Sequence, residues 1–390
     1  MEMSMPQMVL QPSRNSNNAS LPDPSSSSLN NNNTISSNNN NGNTDQQANP
    51  ETAKIQNVKF INATSFVLTS IMVIGVVLLR VREEGVFGDD FLWMKYQTLV
   101  TPPNYVDYLW IPLYLLQGLF IYASTHHKTL QHSPLVGYSQ LLSSSPKESI
   151  AVHYPAICTS TILMIYSHDY GHIFLAFLCS LLCIAVLANV LRLQTNILQE
   201  MGWSDDNAPN DSVNVDESFN TASYTDFKTS ALYYTTLILP FELLAGHVLG
   251  LGGIYFNMVL HSFESLPSGM YLFVAVSTLV GLTCGGVWLL WKTERKYYGV
   301  GGALVWYLLG VSIELHTPSQ PIYNEFSDRA ILTTQVVALG STLLLLTMLG
   351  VRVMNTFINK NLFNCVDTLG GGGDRSVVSE EDVGTDYVHA

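Results

Sequence analysis

Charge is what this chain of 390 residues has least of: Asp, Glu, Lys and Arg make up 12% of it, against 47% hydrophobic residues. That balance belongs to a protein whose solvent is the bilayer. Basic residues are scarcer than acidic ones, 17 against 30, and the net charge of −13 argues against a nucleic-acid partner. The acidic excess lies in 205–217 and 380–386, outside the apolar stretches. Cysteine is also rare. The five are an odd number, and Cys158, Cys179, Cys183 and Cys284 fall in apolar runs, with Cys365 beyond them, so no disulfide framework is implied. A secretory signal needs a basic start followed directly by an apolar core, whereas the first long apolar run begins near Phe60. A transit peptide would be Arg-rich, and Arg14 is the only arginine of the first 55 residues. The first span is therefore expected to act as an uncleaved anchor. No Walker loop, Gly-x-Ser-x-Gly elbow or His-Glu-x-x-His helix occurs, which removes the standard hydrolytic and nucleotide-driven chemistries and speaks against an enzyme.

What is there begins with a polar tract. Residues 1–55 run through Ser25 to Ser28, Asn30 to Asn33 and Asn38 to Asn41. Such a tract cannot bury enough apolar surface to offset chain entropy and is expected to be disordered, as is the acidic tail 353–390. Between them, 56–352 reads as an all-α bundle of about eight transmembrane helices, each near the 20 or so residues that a hydrocarbon core of about 30 Å requires. The expected spans are 60–80, 106–124, 150–167, 172–192, 230–256, 270–291, 300–316 and 330–350. The third carries His153 and Pro155, and the seventh is short and stops at Glu314.

Short cytoplasmic loops collect Lys and Arg. With eight spans, every basic residue except Arg80, Arg82, Lys95 and Arg329 falls on the side of the two termini, which are therefore expected in the cytoplasm. The sequons at Asn18, Asn32 and Asn210 then lie on that side and are expected to be unmodified. The organelle is not encoded. Trp93, Trp110, Trp288, Trp291 and Trp306 lie near or within spans, where indole anchors at headgroup level or donates to a neighbouring helix. Gly246-x-x-x-Gly250 and Gly281-x-x-x-Gly285 each put small residues on one helical face, for close helix packing or for a homodimer.

Paired prolines Pro102-Pro103 hold the chain extended ahead of a helix on which Trp110, Tyr114 and Gly118 recur at every fourth position. That face offers two aromatic bodies with polar tips and a glycine notch. It suits a flat apolar ligand, and aromatic packing against a neighbouring helix explains it equally well. The Pro-Pro start and the Trp-x-x-x-Tyr-x-x-x-Gly helix resemble the translocator protein / tryptophan-rich sensory protein (TspO/MBR-like) family. Leu239-Pro240-Phe241 is similar to the opening of the last core helix in that family's longer relatives, and Leu304-Val305-Trp306 with Gly310 to their C-terminal Trp-containing helix. The likeness covers roughly 57–350. The chain departs from the pattern in three places: Pro103 to Trp110 is one residue short, His247 or a Leu stands for the Trp of the fifth span, and the Asn-Trp pair of the third span is absent. The resemblance implies a five-helix core that binds tetrapyrroles or sterols, extended here by three helices, with Trp110 and Tyr114 at the ligand cavity. No cofactor is required.

Ionisable groups inside a membrane point to sites without reference to any family, since each needs a partner or water. Glu242 and His247 lie in the fifth span, about 140° apart around an ideal helix, so each is expected to find its partner on another element. They could serve the ligand site, or a proton-coupled secondary transporter. His168, Asp169 and His172 form a His-Asp-x-x-x-His group between spans three and four. It would share a metal only if the turn were helical, and would then suit a lipid-modifying enzyme. Lys296-Tyr297-Tyr298-Gly299-Val300 fits a loose cholesterol-contact pattern that snorkelling Lys and interfacial Tyr also explain.

Overall fold

A computed structural model describes residues 50–83, 97–125, 150–200, 234–263, 267–291 and 297–370. Most of the two expected tails, the acidic loop 205–217, Trp93, Lys296 and the sequons at Asn18, Asn32 and Asn210 lie outside the described residues. Nine α-helices make up the described bundle: α1 (Pro50–Glu83), α2 (Trp110–Thr125), α3 (Ile150–Asp169), α4 (Ile173–Glu200), α5 (Leu239–His261), α6 (Ser268–Trp291), α7 (Tyr298–His316), the short α8 (Gln320–Glu325) and α9 (Asp328–Gly370). A 3₁₀ turn (Asn104–Leu109) leads into α2 and a π turn (Tyr234–Ile238) into α5. Pro103 is extended, with φ −67° and ψ 158°, as the paired prolines predict. The last helix runs to Gly370, past the tail boundary expected at 353.

Among the described residues seven helices are long and apolar enough to cross a membrane. They match the expected spans except the third, which is the 20-residue α3. Hydropathy omits α3 because Tyr154, Ser160, Thr161 and Ser167 turn inward among other helices rather than toward lipid. Its geometry supplies what composition does not. His153 Nε2 meets Asn189 Nδ2 at 2.7 Å near the start of α3 and the end of α4, and Thr161 Oγ1 meets Cys183 Sγ at 3.7 Å midway. The two helices thus run antiparallel, with α3 in contact along α4 at least as far as Asn189. The chain is an all-helical, multi-pass membrane bundle.

At its centre stands α5, whose spanning window is 72% buried, whereas those of α1 and α9 are 17% buried and lie outermost. α2, α4, α6 and α7 surround α5; α1 packs on α2 and α3, and α9 on α6 and α7. The glycine pair on α5 makes the closest of these crossings. A Cβ on Gly246 would lie 2.6 Å from the Val300 carbonyl oxygen, and one on Gly250 would lie 2.9 Å from the Tyr307 ring, so only glycine lets α7 come this near. A Cβ on Gly281 or Gly285 of α6 would meet nothing within 4 Å among the described residues.

Candidate functional site

The sequence brings Trp110 and Tyr114 to one face of α2, and the fold turns that face inward. Both rings are buried and stacked, with centroids 5.8 Å apart and planes 26° apart. On one side His247 of α5 meets Trp110 edge to face, centroids 4.5 Å apart at 89°. On the other, Phe66 of α1 tilts against Tyr114 at 6.4 Å, and its Cζ lies 3.2 Å from where a Cβ on Gly118 would be. The glycine notch is therefore real and is filled by an aromatic ring of the chain itself. One turn on, Gln117 Oε1 accepts the hydroxyl of Tyr154 at 3.0 Å, and Phe120 and Phe241 close the layer around that pair.

Glu242 and His247 go to different neighbours, as their angular separation requires. Glu242 is fully buried, and its Oε2 accepts the Tyr234 hydroxyl at 3.0 Å and the Gly299 backbone N–H at 2.8 Å. Gly299 opens α7, whose own first residues supply no side-chain cap. A carboxylate from α5 thus satisfies a donor at the α7 N-terminus, where the helix dipole favours negative charge. A Cβ at 299 would stand 2.7 Å from that of Glu242, so glycine is what admits the carboxylate. His247 is 2% exposed, and its Nε2 has no hydrogen-bond partner among the described residues.

The His168, Asp169 and His172 group does not come together. α3 ends at Gly171 with φ 76°, the His172 N–H donates to Ser167 O at 2.7 Å and the Gly171 N–H to His168 O at 2.9 Å. This left-handed cap reverses the chain, so His168 and His172 are not one helical turn apart. His168 Nδ1 instead lies 3.3 Å from Asp169 Oδ1 and its ring packs on Tyr255. Among the described residues no three His, Cys, Asp or Glu side chains are grouped to hold a metal ion.

Two members of the site escape sequence reasoning. Phe66 sits in an apolar span with no local signal to separate it from its neighbours. Tyr154 could have been sought, because Gln117, a lone amide in the second span, required a buried partner. A cavity of about 10 Å³ lies elsewhere, at the far end of α5, among Thr98, Leu99, Asn257, His261, Tyr271 and Phe326. Compared with protein-family models, with curated proteins and with solved structures, the chain matches none of them.

Proposed function

We propose that this membrane protein binds a flat hydrophobic ligand, a porphyrin or a sterol, within the helix bundle beside Trp110, Tyr114 and His247, for sensing, handling or transport of that ligand. The observation that carries the reading is the imidazole Nε2 of His247, buried against the Trp110 ring with no partner. A buried polar atom left unbonded costs about 1–3 kcal/mol, which a ligand bearing a complementary polar atom recovers. Glu242, with its carboxylate engaged at the α7 N-terminus, supports the site by fixing α5 against α7 rather than by touching the ligand. The resemblance of the Pro102 to Gly118 stretch to the translocator-like family is in keeping with this class of ligand. The bias of Lys and Arg puts both termini in the cytoplasm.

The test is a titration of detergent-purified protein with protoporphyrin IX and with the fluorescent sterol dehydroergosterol, followed by tryptophan fluorescence and corrected for inner-filter quenching. Saturable micromolar binding of one probe, abolished by Trp110→Ala with Tyr114→Ala and weakened by His247→Leu, is the expected result. Binding that these substitutions leave unchanged, or no binding of either probe, overturns the reading.

A further inference from the structure

The helix that covers the aromatic site is one of the two least embedded in the bundle. Only 17% of the α1 span is buried, and it rests chiefly on α2 and α3. Along α1 the residues Asn62, Phe66 and Ser70 recur at every fourth position and so share one stripe. Phe66 fills the notch over Gly118 and lies against Tyr114. Its flanks are polar and poorly served. Among the described residues Asn62, 2% exposed, has no partner for its Oδ1, and the buried Ser70 hydroxyl has none either. Thr69, by contrast, donates to the Ser65 carbonyl at 2.6 Å, so an α1 hydroxyl can be satisfied within the helix. An aromatic ring bracketed by two unbonded polar atoms, about 6 Å to either side by helix rise, is the outline of a flat apolar body with hydrogen-bonding groups at its ends.

Resting on the ligand reading above, we infer that the ligand beside Trp110, Tyr114 and His247 extends into the seam between α1 and α2, that Phe66 occupies this seam in the empty protein, and that the end of the ligand displacing Phe66 carries a hydrogen-bond donor for Asn62 Oδ1. Binding then moves the Phe66 side chain, or α1 with it, away from Gly118. The ligand arrives sideways from the bilayer, because α1 has lipid on its outer side: Phe60, Val67, Leu68 and Ile71 are all more than half exposed.

The experiment measures dehydroergosterol affinity across a short series, with thermal unfolding as the folding control. Removing the occupant removes its competition, so Phe66→Ala is expected to bind about tenfold tighter, a change of ~1.4 kcal/mol. The gentler Phe66→Leu moves the same way by less and carries the test if Phe66→Ala fails to fold, while Phe66→Trp weakens binding. Wild type is expected to prefer dehydroergosterol to its 3-O-methyl ether, which cannot donate a hydrogen bond, and Asn62→Leu to erase that preference. If Trp110→Ala abolishes binding while the Phe66 and Asn62 variants leave affinity and preference untouched, the seam is wrong and the ligand site stands. If no variant binds the sterol, the seam falls, and if protoporphyrin IX does not bind either, the ligand reading falls with it.

Discussion

At the scale of single residues, the two ionisable groups of α5 separate into opposite kinds. Glu242 has hydrogen bonds from Tyr234 and Gly299, so removing it leaves a buried backbone N–H without an acceptor at the start of α7. Glu242→Ala is expected to destabilise the protein by about 2 kcal/mol, the sum of a lost cap and an orphaned donor. Tyr234→Phe, which takes away only one donor, should cost about half of that, and thermal unfolding in detergent distinguishes the two. A Glu242→Ala protein as stable as wild type would show that the carboxylate is not the cap. His247 predicts the reverse pattern. Its Nε2 bonds to none of the described residues, so His247→Leu is expected to unfold no lower than wild type while ligand affinity falls. Coincident loss of stability and binding would make His247 a packing residue. From sequence, both positions were visible as ionisable groups at membrane depth, but which of them was already occupied was not. That distinction depends on Gly299, 57 residues further along, and nothing local to Glu242 points there.

At the scale of elements, glycine spacing alone did not separate a used face from an unused one. Gly246 and Gly250 are pressed against α7, whereas Gly281 and Gly285 face outward from α6. The two pairs have the same pattern in the sequence because both permit close approach, and only the identity of the approaching helix decides whether they are used. Gly246→Val forces a side chain into the Val300 carbonyl and should cost 3 kcal/mol or more by order of magnitude, beyond ordinary overpacking because the obstacle is backbone. Gly281→Ala meets nothing and should be neutral or stabilising by up to about 1 kcal/mol, the helix-propensity difference between the two residues. Chemical-denaturant or thermal unfolding of both variants checks the contrast, and equal losses would mean that α7 does not sit where Gly246 requires it. The aromatic face of α2 was legible for a simpler reason. Trp110, Tyr114 and Gly118 lie within nine residues, and helix periodicity fixes their relation without any tertiary information. Phe66, which completes the site, comes from another span, and no periodicity links the two.

At the scale of the whole molecule, the count of crossings decides which tail faces which compartment. Composition supports seven spans by itself, and seven would set the two tails on opposite sides of the membrane. The packing of α3 supports eight: its contacts with α4 at His153 and Thr161 carry it alongside an apolar helix of 28 residues, and the three-residue connection through Gly171 leaves no room for α3 to lie flat on the surface. A helix whose polar side chains are taken up by neighbouring helices does not need the hydropathy of one that faces lipid. Cysteine labelling in sealed vesicles tests this directly, in a background with the native cysteines replaced. Tyr170→Cys, at the exposed turn after α3, and Thr125→Cys, at the exposed end of α2, should react with a membrane-impermeant maleimide from opposite sides. Tyr323→Cys should react from the same side as Tyr170→Cys. If Tyr170→Cys and Thr125→Cys are instead labelled from one side, α3 does not cross, the bundle has seven spans, and the common placement of both tails that the distribution of Lys and Arg supports is lost with it.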